Sequence, residues 1–405
     1  MTEGATLETL LWVCAVAATA PILQVFLRGR LPQVVLLLLG GVLIGPQALG
    51  LGHPETIGIF SEVGLGFLFL IAGYEVEPRL LREQQGTRAV MAWVTSLLVS
   101  LTAVGVLAAT GFVRAYVAVA IGLTTTALGI LLPLLREHSL TDGRFGRSVM
   151  ATGAVGEVLP VMAIAIFLGT RGHFVAIVSL AVVALLAVLL VLLPRRLRGT
   201  WLDDAFRAHL DSTSQTSVRA TLLLLVLFLV VASRFGLDVV LGAFLAGVVL
   251  RMLGPPDADA LQHKLDVIGY GFFIPVFFVT SGMSLDIASI ARTPQRLVVF
   301  LVLLLVVRGV PTYVAYGGLL PPRERVQLGL LAGTALPLLV AITEIGLRNG
   351  TMLPANAAAL VGAGVVSVLI FPAVAMALRV REPQRPLPLQ RLEDERGRSG
   401  RSPQT

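Results

Sequence analysis

The sequence predicts an all-α integral membrane protein with about 13 transmembrane helices, and three observations support this fold class. The 405 residues are 56% hydrophobic and only 14% charged, whereas soluble domains carry about 25% charged residues. Apolar runs long enough to cross a bilayer recur along the chain. Basic residues concentrate in the short segments between these runs. These features exclude a soluble globular enzyme, and we expect no catalytic centre and no resident cofactor.

Thirteen apolar segments are predicted to be membrane spans, and several are short or interrupted by glycine and proline. They cover residues 5–27, 32–50, 57–77, 89–112, 114–135, 146–170, 173–194, 218–234, 237–254, 266–285, 295–319, 325–347 and 353–379. The membrane domain would occupy residues 1–380. The tail at 381–405 is rich in Arg, Pro and Gln, so we expect it to be disordered.

The basic residues predict an orientation. With the N-terminus outside and the C-terminus in the cytoplasm, 24 of the 31 basic residues lie on the inner side, six lie outside and Arg308 lies within a span. This asymmetry is the positive-inside pattern and indicates a multi-pass protein of the inner or plasma membrane. The net charge of +7 therefore reflects membrane topology, and no nucleic-acid partner is expected.

The two halves of the chain resemble each other in three places. Residues 39–46, 69–77 and 126–128 match residues 241–248, 278–286 and 334–336, in the same order and at offsets of 202, 209 and 208 residues. Seven spans separate the first pair, and this odd number predicts an inverted repeat, which is typical of transporters. The first repeat would cover 32–170, the linker 195–217 and the second repeat 218–379.

Glu157 is the most informative ionisable residue. No other charged side chain lies between Arg147 and Thr170, and a carboxylate at that depth costs about 2.5–3.5 kcal/mol unless it is protonated or paired with a cation. A group with those two stable states can exchange one for the other. The alternative is a glutamate that is hydrogen-bonded between helices for structure alone.

Two spans contain residues that oppose a continuous helix. The fifth carries Thr124, Thr125 and Thr126 between Gly122 and Gly129, and the twelfth carries Thr334 shortly before Pro337. Threonine and glycine are poor helix-interior residues. We predict two discontinuous helices whose exposed oxygens serve a hard monovalent cation. Kinked packing without an ion remains the alternative.

Arg308 is the second unusual charge, since it lies in the middle of the eleventh span. We expect it to find a carboxylate or the carbonyl end of a broken helix. Glu344 is a candidate partner, although it is also close enough to Arg348 to reach the outer surface instead. Arg308 would then either neutralise charge for structural reasons or take part in ion binding directly.

Four motifs carry a resemblance to a known family. Residues 64–81, 122–140, 241–250 and 269–286 resemble segments of the monovalent cation:proton antiporters, second branch (the Kef/NapA-like group). The resemblance covers about residues 5–380. It implies 13 spans in a NapA/NhaA-like fold, with two crossed broken helices, a dimerisation domain, a homodimer and an elevator-like movement.

The resemblance also assigns residues. The acidic ion-binding position falls on Glu157, and the basic position falls on Arg308. Members usually carry aspartate, asparagine or glutamine before the acidic residue, whereas this chain has Gly156. A single carboxylate implies a 1:1 exchange of a transiently bound monovalent cation, Na⁺ or K⁺, for a proton.

Two further functions stay open. A cation-coupled transporter or exporter of an organic solute on the same fold needs a roomy apolar cavity beside the ion site, and Gly156 could create such space. A channel or a non-transporting sensor is the third hypothesis. Flux through a channel would persist after Glu157→Gln.

Overall fold

The computed structural model describes residues 3–27, 31–75, 83–137, 140, 143–167, 216–235, 239–253 and 258–378, and all regular secondary structure among them is helical. The helices are α1 (Glu3–Phe26), α2 (Gln33–Ile44), α3 (Gly58–Tyr74), α4 (Gln84–Ala109), α5 (Tyr116–Gly122), α6 (Leu128–Glu137), α7 (Gly143–Phe167), α8 (Thr216–Phe235), α9 (Val239–Leu253), α10 (Ala258–Ile268), α11 (Ile274–Met283), α12 (Ile287–Arg292), α13 (Pro294–Leu304), α14 (Val310–Ala315), α15 (Pro322–Ala332), α16 (Pro337–Arg348) and α17 (Pro354–Ala377). A 3₁₀ turn at Pro54–Ile57 precedes α3, and π-helical turns at Gly269–Phe273 and Leu305–Gly309 join α10 to α11 and α13 to α14.

The predicted fold class is confirmed as an all-helical, multi-pass membrane architecture. Among the described residues, eight helical stretches are long and apolar enough to cross a membrane, and two shorter apolar helices cover Gln33–Ile44 and Val240–Met252. The predicted seventh span, nearly all of the linker at 195–217 and the tail at 381–405 lie outside the described residues. The count of 13 therefore stays a prediction.

The helices pack into two bundles. Helices α1, α2, α3, α8, α9, α10 and α11 contact one another and form the first bundle, whereas α4–α7 and α12–α17 form the second. The contacts between α9 and α7 are the most extensive that join the two bundles among the described residues. The interface between the bundles is therefore sparser than the interior of either one.

Glycine allows close backbone contact at two helix pairs of the first bundle. In the α2–α11 pair, a Cβ on Gly41 would overlap the carbonyl of Val279. In the α3–α9 pair, a Cβ on Gly73 would overlap the carbonyl of Phe244. The repeat matches α2 with α9 and α3 with α11, so each pair joins an element of one half to an element of the other. The two pairs are therefore the contacts that the predicted repeat would make equivalent.

Candidate ion-binding site

The first interruption lies between α5 and α6. Helix α5 ends at Gly122, and residues 123–127 are not helical before α6 begins at Leu128. The hydroxyls of Thr124 and Thr125 donate to the carbonyls of Ile121 (2.7 Å) and Gly122 (2.8 Å). The same carbonyls also accept from the backbone N–H groups of Thr124 (2.9 Å) and Thr125 (3.2 Å), so each threonine closes the end of α5 with two hydrogen bonds.

The second interruption lies between α15 and α16, and it touches the first. Helix α15 ends at Ala332, and α16 begins at Pro337, where the missing N–H of proline costs no hydrogen bond. The backbone N–H of Ala127 donates to the carbonyl of Thr334 at 2.8 Å. The hydroxyl of Thr126 donates to the carbonyl of Ala332 at 2.7 Å. The two unwound segments are therefore hydrogen-bonded to each other.

Glu157 lies on α7 beside this junction. Its Oε1 atom accepts a hydrogen bond of 2.9 Å from the N–H of Leu128, the first residue of α6. The carbonyl one residue earlier, at Gly156, accepts from the N–H of Thr126 at 3.0 Å. The carboxylate therefore faces the positive end of a helix dipole, which stabilises negative charge.

Glu157 is only partly buried because it lines a cavity between the two bundles. The cavity has a free volume of about 90 Å³, which is enough for several water molecules. Thr125, Thr126 and Leu336 contribute to its wall from the second bundle, and Glu75 and Tyr270 contribute from the first. The rest of the wall is mostly apolar, so ionic groups are confined to a few positions.

Two of the four predicted threonine ligands do not line this cavity. Thr124 and Thr334 are fully buried. Thr124 caps α5, whereas Thr334 offers its carbonyl to Ala127 and its hydroxyl to the carbonyl of Leu330 at 3.4 Å. In this arrangement both hold the unwound segments in place, while Thr125 and Thr126 face the cavity.

Arg308 is fully buried and reaches the same junction from the other side. Its Nη2 atom donates to the hydroxyl oxygen of Thr126 at 2.7 Å, and its Nε atom donates to the same oxygen at 3.1 Å. A longer contact of 3.4 Å joins Nη2 to the carbonyl of Thr152. Arg308 has no carboxylate partner among the described residues, and its Nη1 atom has no hydrogen-bond partner there. The hydroxyl of Thr126 in turn donates to the carbonyl of Ala332, so it links Arg308 to the carbonyl end of α15.

Gly156 leaves the space that Arg308 occupies. A Cβ at this position would lie 2.5 Å from Thr126 Oγ1 and 2.8 Å from Arg308 Nη2. Such distances are well inside van der Waals contact, so any larger residue would displace the guanidinium. Protein atoms therefore occupy the space beside Gly156. The expectation that this glycine opens space for a solute is wrong for this conformation.

The pairing of Glu344 with Arg308 is also wrong. Glu344 Oε1 instead accepts a hydrogen bond of 3.1 Å from Nε of Arg348, one turn further along α16. Residues at positions i and i+4 face each other on a helix, which favours this local pair. Glu344 lines two pockets that do not include Glu157 or Arg308.

Sequence reasoning missed three groups at the site. Glu75, which the sequence pattern does not single out, shares the cavity with Glu157. Tyr270 lies on the π-helical turn at Gly269–Phe273, which widens the helix and has no clear sequence signal. The N–H of Leu128 belongs to an apolar residue, and only the predicted break before α6 could have indicated a free amide.

The arrangement can hold a monovalent cation or a proton at one carboxylate. Glu157 supplies the charge, the hydroxyl of Thr125 supplies an oxygen, and Glu75 adds a second carboxylate on the same cavity. Hard cations prefer such oxygen ligands. No group of three or more His, Cys, Asp or Glu side chains suited to a permanent metal occurs in the described part of the chain.

The chain is similar in sequence to several known proteins. YjbQ of Bacillus subtilis is 25% identical over 395 residues, which cover 93% of this chain and 64% of YjbQ. The glutathione-regulated potassium-efflux system protein KefC of Klebsiella pneumoniae is 28% identical over 302 residues, which cover 70% of this chain and 46% of KefC. The chain spans between 42% and 67% of the length of such curated relatives.

A solved structure shares the fold. The sodium proton antiporter MjNhaP1 from Methanocaldococcus jannaschii superposes with a TM-score of 0.66 at 16% identity, over 95% of this chain and 100% of MjNhaP1. The family described as "Sodium/hydrogen exchanger, transmembrane" matches residues 14–377. Because this match covers most of the sequence, the chain belongs to the transmembrane sodium/hydrogen exchanger family.

Proposed function

We propose that this protein is a secondary active transporter that exchanges a monovalent cation, Na⁺ or K⁺, for protons. The observation that carries the proposal is the position of Glu157. It lies on a cavity between two helix bundles and accepts a hydrogen bond from the start of a broken helix. The names of the relatives and of the structural neighbour, which are antiporters and efflux systems, support the same activity.

Proton and cation compete for one carboxylate in this proposal. A cation binds Glu157 only after the proton has left, so each transport cycle carries one or the other. The cation is the transported substrate, and it binds transiently to Glu157 with Thr125 and Thr126 beside it. Arg308 stays bound to Thr126 and carries a fixed positive charge next to the site. In this proposal Glu157 exchanges proton and cation, whereas Glu75 on the same cavity does not, and the stoichiometry is 1:1.

Alternating access follows from the two bundles in this proposal. The cavity at Glu157 extends to Glu75, which directly follows α3. With the N-terminus outside, as the basic residues predict, this end of α3 faces the cytoplasm, and we propose that this conformation is inward-facing. A sliding movement of the second bundle against the first would carry Glu157 towards the other face. We propose that the protein works this way in the plasma membrane as a homodimer.

Ion exchange by proteoliposomes tests the proposal. Wild-type protein should release protons from acid-loaded vesicles when Na⁺ or K⁺ is added, and Glu157→Gln should abolish this release. Glu62→Gln is the matched control, because Glu62 lies at the opposite end of α3 and outside the cavity. Exchange that persists in Glu157→Gln would refute the role of Glu157. A folded wild-type protein without exchange would refute antiport itself.

One observation favours the organic-solute alternative. The cavity wall beside Glu157 is largely apolar, with Phe69, Phe244 and Phe278 among its residues, and apolar walls with a few polar groups are typical of organic ligand sites. Its free volume of about 90 Å³ admits only a small molecule in this state. Cation exchange at full rate without any organic solute would decide against this alternative.

A further inference from the structure

A second cavity lies between the bundles at the other end of α3. It has a free volume of about 30 Å³ and is lined by Ser281 and Ser284 from the first bundle and Thr343 and Glu344 from the second. Ser284 and Glu344 also line a wide surface vestibule of about 750 Å³ that includes Glu62, near the start of α3. Glu75 and the first cavity lie beyond the end of this 17-residue helix, which is about 26 Å long.

The internal repeat relates the two cavities. Ala72 and Glu75 line the first cavity, and the repeat matches them with Ser281 and Ser284, which line the second. In each case a half-helix that follows an interruption forms the opposite wall: α6 in the first and α16 in the second. The second cavity is therefore the counterpart of the first, narrowed in this conformation.

An unpartnered polar atom points to a ligand in the second cavity. Ser281 is 5% exposed, and its hydroxyl oxygen has no hydrogen-bond partner among the described residues. Leaving such a group unpaired costs about 1–3 kcal/mol. The hydroxyl of Thr343 donates to the carbonyl of Val340 at 2.8 Å, which leaves lone pairs on its oxygen. Two hydroxyl oxygens and the carboxylate of Glu344 thus line one small space.

The surrounding charges favour a cation. Asp286 also lines the cavity, and it accepts hydrogen bonds from the hydroxyl and the N–H of Ser289. These bonds hold the pKa of Asp286 below its usual value, so its carboxylate is ionised at neutral pH. A space of about 30 Å³ can hold one water molecule or one monovalent cation.

We propose that Ser281, Thr343 and Glu344 form a transit site for a monovalent cation on the face opposite Glu75. The proposal rests on the cation exchange proposed above and adds a second stop on the ion's path. Phe278 and Leu338 line the cavity at Glu157. On α11, one helical turn separates Phe278 from Ser281, and on α16, less than two turns separate Leu338 from Thr343. A short sliding movement would therefore join this site to Glu157.

Arg348 acts as the competing cation at this site. Its guanidinium pairs with Glu344 at 3.1 Å, and the two side chains are 44% and 21% exposed. An ion pair with this exposure is worth about 1 kcal/mol or less, so an incoming ion can replace the arginine. The vestibule side of Glu344 would thus be occupied by Arg348 until a cation arrives.

Transport assays on each membrane face test the site with three variants, two that should raise the KM for the cation and one that should lower it. Right-side-out and inside-out membrane vesicles with the full chain measure the KM for the ion, Na⁺ or K⁺, that the wild type exchanges. Glu344→Gln should raise KM at least about five-fold at the Glu344 face only, the effect of one charge at contact distance in water. Arg348→Gln should lower KM at that face, and Ser281→Ala should raise it.

Two controls separate the site from general effects. Glu62→Gln removes a vestibule charge outside the small cavity and should change KM less than about two-fold. Equal KM values for Glu344→Gln and wild type, or the same shift in Glu62→Gln, would overturn the proposal. If Glu344→Gln fails to fold, Arg348→Gln is the remaining test. A KM for the cation equal to that of the wild type in Arg348→Gln would refute the site. The absence of cation/proton exchange in folded wild-type protein would instead refute the antiport proposal.

Discussion

The carbonyl oxygen of Thr334 accepts a hydrogen bond of 2.8 Å from the N–H of Ala127, so the two interrupted segments are joined directly. The segments belong to different halves of the chain. Thr126 adds a second link through the carbonyl of Ala332 and also accepts from Arg308. The junction beside Glu157 is therefore held by polar contacts among residues far apart in the chain, and its stability can be tested by substitution.

Thr126→Val should destabilise the junction and should be coupled to Arg308. The substitution removes the one hydroxyl that links the guanidinium to the carbonyl of Ala332 and leaves both buried groups short of partners, which costs about 1–3 kcal/mol each. A double-mutant cycle with Arg308→Ala should show a coupling energy of about 0.5–3 kcal/mol in thermal or chemical unfolding. Additive effects of the two substitutions on the free energy of unfolding would contradict an interaction between Arg308 and Thr126.

Gly156→Ala should lower stability although alanine is the better helix former. Its methyl group would overlap Thr126 and Arg308, and overpacking of this kind costs about 1–3 kcal/mol. Gly66→Ala on α3 is the matched control, because its Cβ would meet Leu229 at an ordinary 3.5 Å. The midpoint of thermal unfolding should fall for the first variant and hold or rise for the second. Equal stability of both would show that Arg308 has room to move.

The sequence predicts the breaks in the two helices because their causes are local. Three threonines between glycines and a proline after Gly333-Thr334 weaken helix formation without help from the rest of the chain. The same local reasoning singles out Glu157, since a lone carboxylate in an apolar run is visible without a structure.

The partners of these residues depend on packing and could not be predicted in the same way. The donor to Glu157 is 29 residues away, and Thr126 is 182 residues from Arg308. Charge complementarity suggested Glu344 for Arg308, but Arg348 lies one turn away on the same helix and forms the pair instead. Predicting that Glu75 lines the cavity would have required knowledge of how α3 is oriented against α6 and α7.

Phe278→Val should produce a leak of protons. Phe278 lines the cavity at Glu157, and Ser281 in the second cavity is one turn further along α11. Removing the ring thins the barrier between the two cavities, so protons or cations should cross without exchange. Phe277→Val is the control, since Phe277 is equally buried and does not line either cavity. Decay of a pH gradient in the absence of Na⁺ and K⁺ measures the leak, and equal rates for both variants would contradict this barrier.

The KM for the cation should fall as pH rises, because proton and cation compete for Glu157. In the range where the carboxylate is mostly protonated, each pH unit changes the free energy of deprotonation by about 1.4 kcal/mol and should change KM about tenfold. Glu157→Asp should keep this pH dependence, since a carboxylate remains, but should bind the cation more weakly. The shorter side chain withdraws by one methylene from the N–H of Leu128, which lies at 2.9 Å in the wild type. A KM that does not change with pH in the wild type would mean that proton and cation bind at separate groups, and the single-carboxylate exchange would be wrong.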